Sequence, residues 1–160
     1  MNVLVMGIGN LLLQDEGAGV RVIEELEKKY EMPDGVELLD GGTAGIELLQ
    51  YIDNRDVLIL VDVINTGSAA GTISRFEGED VPAFFQKKIS PHQLGISDLL
   101  ATARLTGSVP NKIVLLGVDP QSIDTGLELT EVVAGKISVL AGLVAEELRS
   151  LGLVVEPRSL

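Results

Sequence analysis

Glu16, Asp62 and His92 are the residues of this sequence best suited to hold a metal ion, and His92 is its single histidine. An imidazole with two carboxylates makes a nitrogen–oxygen ligand set suited to zinc, nickel or iron. Three protein ligands also leave coordination positions open for a substrate. Glu16 lies in the loop leaving the apolar run Val3-Leu4-Val5-Met6, and Asp62 ends the run Val57-Leu58-Ile59-Leu60-Val61. His92 sits in the loop Ser90-Pro91-His92-Gln93-Leu94-Gly95, ahead of an amphipathic stretch. In an open parallel sheet, loops at the carboxyl ends of strands converge on one crevice, where ligands bind. No local spacing such as His-Glu-x-x-His joins the three, so residue types alone leave two readings. Either they form one metal site, or they are separate polar residues, with Asp62 a strand-end cap or loop acceptor. Closing so apolar a strand, Asp62 would be expensive to bury unpaired, and its removal is expected to relieve that cost.

Other chemistries fit less well. The chain has no cysteine, which excludes disulfides, thiolate metal sites and a cysteine nucleophile. A Gly-x-Ser-x-Gly elbow is absent; Gly95-Ile96-Ser97-Asp98-Leu99 lacks the second glycine. Ser90 and Ser97 neighbour His92 in sequence, but serines so placed are commonly caps or turn residues. Asp15 and Glu16 are adjacent, a poor arrangement for an acid pair working on one bond, and Asp15 reads as a solvated turn residue. Gly7-Ile8-Gly9-Asn10-Leu11-Leu12 invites a dinucleotide-binding reading, in which Asp40 would imitate the ribose contact. Position 12 is leucine where that fingerprint needs a third glycine, and Asp15 and Glu16 would repel a pyrophosphate. The glycines instead suit a tight turn that brings Glu16 back over the sheet. Asp40, Gly41, Gly42 and Thr43 form a glycine-rich turn offering backbone groups to whatever enters the crevice. A plain strand-to-helix connection is the alternative there.

These residues need elements to carry them. Val3–Met6, Val36–Asp40, Val57–Val63 and Lys112–Val118 are predicted strands, with Gly71–Phe76 an alternating edge strand. Ile23, Leu26 and Tyr30 share one helical face, Gly45–Ile52 reads as a short helix, and Ser97–Leu105 as another. Val133, Ile137, Leu140, Val144 and Leu148 trace a long final helix with Thr130 as its N-cap. Strands alternating with helices predict a three-layer α/β/α sandwich. At 160 residues and 46% hydrophobic, residues 1–160 are expected to be a single domain with its own core. A net charge of −12 argues against nucleic acid and anionic membrane surfaces as partners. With no signal-peptide pattern and no apolar run near the ~20 residues of a membrane span, a soluble, cytoplasmic protein is expected.

Taken together, Gly7-Ile8-Gly9-Asn10, Asp15-Glu16-Gly17, Asp40-Gly41-Gly42-Thr43, Val61-Asp62 and Ser90-Pro91-His92-Gln93 resemble the hydrogenase maturation endopeptidases. Members of that family trim the C-terminal extension from nickel–iron hydrogenase large subunits. The resemblance spans nearly the whole chain, with no departure at the key positions. It implies a mostly parallel, roughly five-stranded sheet and Glu16, Asp62 and His92 as metal-binding and catalytic residues. It further implies a monomeric hydrolase, aspartyl-type or metal-dependent, whose partner is the nickel-loaded precursor. The cofactor would then be nickel, belonging to the substrate rather than held permanently. A non-catalytic nickel-sensing chaperone of the precursor is the alternative, with a nucleotide-binding Rossmann-like protein a more distant one.

Overall fold

The computed structural model describes residues 1–87 and 90–159. In chain order its elements are β1 (Val3–Ile8), α1 (Ala18–Lys29), β2 (Tyr30–Glu31), β3 (Val36–Gly42), α2 (Leu49–Ile52), β4 (Val57–Val63) and β5 (Ile73–Glu77). There follow α3 (Asp80–Phe85), α4 (Pro91–Thr106), β6 (Lys112–Val118), α5 (Glu131–Ala134), α6 (Ile137–Ser150) and β7 (Glu156–Pro157). Five strands form the main sheet in the order β3-β1-β4-β6-β5. Its first four strands are parallel, and β5 runs antiparallel at the edge.

Every residue of β1 and β4 is buried, as expected of central parallel strands covered on both faces. The period-two alternation divides them between two cores. Val3, Val5, Val57, Ile59 and Val61 pack with α1 and α6 through residues such as Val22, Leu26, Leu140 and Val144. Leu4, Met6, Leu58 and Leu60 pack on the other face with Phe85 of α3 and Ile96, Leu99 and Ala103 of α4. Asp62 has the parity of Leu58 and Leu60, so the same alternation turns it toward α4. From β1 the chain passes to β3 on one side, then returns to β4 on the other. The carboxyl ends of β1 and β4 therefore flank the point where the winding reverses, the place where such sheets open a crevice.

Glycine sets how near α1 can come to that crevice. A Cβ on Gly19 would lie 2.2 Å from the Val61 carbonyl oxygen, and one on Gly7 would lie 2.2 Å from that of Gly19. The first turn of α1 thus rests directly on the backbone of β1 and β4. This is the close helix–strand packing that a dinucleotide fingerprint obtains from its third glycine; here a residue inside the helix supplies it.

Some boundaries differ from the sequence reading. Helix α4 begins at Pro91 rather than Ser97, with Ser90 at the N-cap and the Gln93 side-chain oxygen accepting the Ser90 N–H at 3.3 Å. Gly95 and the polar residues of the first turns interrupt the apolar periodicity there. His92 consequently lies in the first turn of a helix, not in a loop. Thr130 precedes the short α5, and the final helix starts afresh at Ile137 after Gly135 and Lys136. Tyr30 leaves α1 for β2 and pairs with Pro157, so the segment around Glu156 and Pro157 also finds a place. Among the described residues, no helix is long and apolar enough to cross a membrane.

Candidate active site

Glu16 reaches the crevice from a 3-10 turn, Gln14–Gly17, between β1 and α1. The turn depends on Gly9, whose φ of +138° belongs to glycine and whose Cβ, if added, would fall 1.8 Å from the Glu16 carbonyl oxygen. The irregular turn expected of these glycines is therefore present. Asp62 arrives at the end of β4, and His92 from the first turn of α4. The three side chains meet in a row with the imidazole in the middle. Its Nδ1 lies 2.6 Å from Glu16 Oε1, and its Nε2 lies 3.1 Å from Asp62 Oδ2. Asp62 also accepts the Val63 N–H at 2.8 Å and a Gln93 side-chain N–H at 2.9 Å. Gln93 donates again, to the Val63 carbonyl, at 2.9 Å.

All of this is out of water: Asp62 is fully buried, and Glu16 and His92 are 5% and 6% exposed. Burial pulls the His92 pKa down, but the hydrogen bond and charge of Asp62, with the charge of Glu16, overcome it and leave the ring above its ordinary value. Burial pushes the Asp62 carboxyl up, against the opposing pull of His92, Gln93 and the Val63 N–H. A ring with a carboxylate at each nitrogen is best served by a proton on both, the imidazolium form. Asp62 meets the first turn of α4 through His92 and Gln93, the end at which a helix dipole favours an anion. In this arrangement the carboxylates take opposite sides of the ring, and among the described residues no three acidic or histidine side chains surround one point. For Glu16, Asp62 and His92 to share an ion, the imidazole must give up at least one carboxylate and one proton.

Open space lies on both sides of this row. A cleft of about 310 Å³ is lined by Asn10, Leu13, Glu16, Thr43, Pro91 and His92. A second, of about 540 Å³, is bounded by Glu16 again, by Val63 at the end of β4 and Thr66 beyond it, and by Phe84 and Ile123. A larger cleft of about 630 Å³ sits between α3 and α4, near Pro82, Arg104 and Pro110. It lies away from this row of side chains. The openings beside the row are the two smaller ones.

A family model for hydrogenase maturation protease, HycI, matches residues 20–147. The chain belongs to the hydrogenase maturation protease family. Relatives and solved structures agree with that membership. The hydrogenase 2 maturation protease of Escherichia coli (strain K12) is 47% identical over 159 residues, 99% of this chain and 97% of its own. HupM of Azotobacter chroococcum, a hydrogenase expression/formation protein, is 42% identical across 98% of this chain and 76% of its own. The hydrogenase maturating endopeptidase HybD from E. coli matches the fold with a TM-score of 0.96 at 48% identity, covering 99% of this chain and 98% of the other.

In this maturation protease, then, the three residues singled out from sequence do come together. The glycine-rich turn is divided. Thr43 lines the cleft that contains Glu16 and His92, whereas Asp40 and Gly42 line a smaller one of about 190 Å³ beside it. Asp40 is exposed and accepts the Gly42 N–H at 2.8 Å. Gly41 is buried, and a Cβ added there would come within 3.0 Å of the Met6 side chain. Asp62 is not the poorly paired carboxylate expected, because α4 brings it Gln93 and His92. Asp15 is not solvated either. It is fully buried and accepts the N–H groups of Gln121, Ser122 and Thr130 at 2.9, 3.0 and 2.8 Å, besides the Thr130 hydroxyl. Thr130 thus spends its side chain on Asp15 instead of capping a helix. Gln93 is the site residue that sequence reasoning passed over. The pattern Ser90-x-x-Gln93 is a capping-box signature and would have marked both the start of α4 and the orientation of Gln93.

Proposed function

We propose that this protease is an endopeptidase that removes the C-terminal extension of a nickel–iron hydrogenase large-subunit precursor after nickel insertion. In this reading Glu16, Asp62 and His92 contact the nickel, which arrives with the substrate. The observation carrying it is the buried Glu16–His92–Asp62 row at the switch point between β1 and β4, with an open cleft on either side. The donor set fits a borderline divalent ion: carboxylate oxygens and, once its proton leaves, an imidazole nitrogen. The protease works as a monomer in the cytoplasm, and Asp40, Gly41, Gly42 and Thr43 help to hold the peptide.

The chain's own groups divide the work as follows. Gln93 and the Val63 N–H fix Asp62, and Asp62 orients the ring through Nε2. Glu16 stands at the boundary of both clefts, where a carboxylate can take a proton from an attacking water. The substrate's nickel would anchor the scissile region by coordination, turning recognition into positioning. Ser90 Oγ lies 2.9 Å from His92 Nδ1, which on its own would suggest a serine nucleophile. The Glu16 carboxylate lies at 2.6 Å from the same nitrogen, so in this arrangement Nδ1 donates to Glu16 rather than accepting a proton from Ser90. Water is the nucleophile in this reading.

The test uses purified, chelator-treated and dialysed enzyme with nickel-loaded and nickel-free precursor, read by gel. Cleavage of the loaded form alone is expected. Equal cleavage of both forms would refute nickel reading while leaving the protease intact. Tight binding of loaded precursor without any change in its length would favour a chaperone instead.

A further inference from the structure

The 540 Å³ cleft on the β4–β6 side of the Glu16–His92 pair is larger than a metal centre needs. We propose that it is a specificity subsite, taking an apolar side chain of the substrate peptide within a few residues of the scissile bond. The inference rests on the endopeptidase reading and adds to it what the peptide must present. Continuity with the site is the first argument. Glu16 is shared with the cleft on the other side, while Ser90 and Gln93 from the first turn of α4 also line this one. A chain crossing the Glu16–His92 pair must enter it.

The character of the walls is the second argument. Val63, Phe84, Pro120 and Ile123 give it apolar surface, and among the described residues that line it Glu16 alone is ionisable. An acidic side chain would meet the Glu16 carboxylate, whose charge is already engaged with His92. A basic one would have to compete with His92 for the same oxygen, held at 2.6 Å. An aliphatic or aromatic side chain meets neither difficulty and gains from leaving water.

The third argument is that both rims are held in place by buried carboxylates that have no cationic partner among the described residues. Asp15, fully buried, ties down the segment bearing Pro120 and Ile123 through the N–H groups of Gln121, Ser122 and Thr130. Asp119, 1% exposed, holds the opposite rim by accepting the Thr66 N–H at 2.7 Å and its hydroxyl at 2.6 Å. Burying such charges is costly unless several donors converge on them. Phe84 is fixed in turn between Phe76 and Phe85, with ring centroids 5.3 and 5.4 Å away. Asp15 directly precedes Glu16, so the rim and the catalytic row hold one register. A pre-shaped cavity of this kind selects a side chain; a loose one would not.

The experiment uses the full chain and nickel-loaded precursor carrying single changes to Asp at each of about four residues on either side of the cleaved bond. With unaltered enzyme, one originally apolar position should lose about tenfold or more in kcat/KM, the scale of a mismatched hydrophobic pocket. Ile123, half exposed at the rim, is then changed. Ile123→Trp should fill the cleft and lower kcat/KM on the native precursor about tenfold, chiefly through KM. Trimming the sensitive substrate residue to Ala should restore most of that loss. Ile123→Ala should instead tolerate a larger residue at the same position. Native-rate cleavage by Ile123→Trp would overturn the proposal, as would a loss relieved by no substrate change in a variant of unaltered unfolding midpoint. Failure of the unaltered enzyme to cut any precursor would sink the protease reading beneath it.

Discussion

Replacing Asp62 with Ala sets two opposing effects against each other. The change releases a fully buried carboxylate from its desolvation. It also strands the Val63 N–H and one Gln93 N–H, which Asp62 accepts at 2.8 and 2.9 Å, and it removes the Nε2 partner of His92. Each stranded buried donor costs ~1–3 kcal/mol, and breaking a buried ion pair by removing one member costs ~3–5 kcal/mol. The released desolvation offsets part of this, and a net loss of about 3 kcal/mol is expected near pH 6. For a domain of this size that is a fall in Tm of about 6–12 °C. The loss should depend on pH with a definite sign. The folded-state pKa of His92 is raised, mainly by Asp62 acting against burial. The pairing therefore contributes fully below the unfolded value of ~6.5 and disappears as pH rises through the folded one. Asp62→Ala should accordingly be more destabilising near pH 6 than near pH 9, since the contribution of the pairing fades as the ring gives up its proton. Urea unfolding followed by circular dichroism at both pH values gives the comparison. An unchanged or higher midpoint at pH 6, or a larger loss at pH 9, would refute the reasoning.

Further expectations concern the neighbouring residues. Ser90→Ala should keep precursor cleavage within about tenfold of the unaltered rate, since Glu16 already occupies Nδ1; a drop of ~10³-fold or more would identify a serine nucleophile. Nickel titrated into the protein alone should bind more weakly as pH falls, with a midpoint above the ordinary ~6.5 of histidine because the ring must shed a stabilised proton. Isothermal titration at several pH values reads this, and a pH-independent affinity would remove His92 from the coordination sphere. Asp15→Ala should destabilise the fold by about 2–4 kcal/mol, since several buried donors lose one acceptor. Hydrogen exchange should quicken first at Gln121, Ser122 and Thr130, and unchanged exchange there would show that Asp15 does not hold that segment.

The alternation of β4 was legible at once: Leu58, Leu60 and Asp62 share a parity, and the apolar members locate the face. Glu16 was legible through Gly9, because an irregular glycine turn after a central strand has little else to do. Asp15 was not, since its acceptors' partners lie 106 to 115 residues away in sequence and nothing local separates a clamped aspartate from a solvated one. Helix α4 was found late because apolar periodicity starts only where the helix meets the core, and its first turn is occupied with polar side chains serving the site. Thr130 misled for a similar reason. Its type and place suit a cap, but a buried carboxylate nearby made a better partner than a helix end.

The imidazole between two carboxylates also bears on what keeps this protein folded. Metal-built domains collapse when the ion is withdrawn, because like charges are left facing one another. Here the His92 ring already stands between Glu16 and Asp62, at 2.6 and 3.1 Å, and in its protonated form it offsets part of their charge with a group belonging to the chain itself. The site behaves as an ion exchanger in its hydrogen form. Under the proposed function, each arriving nickel would displace a proton and each departing product would readmit one. Proton release would keep count of docking events, and a chelator would starve the enzyme of substrate without unfolding it.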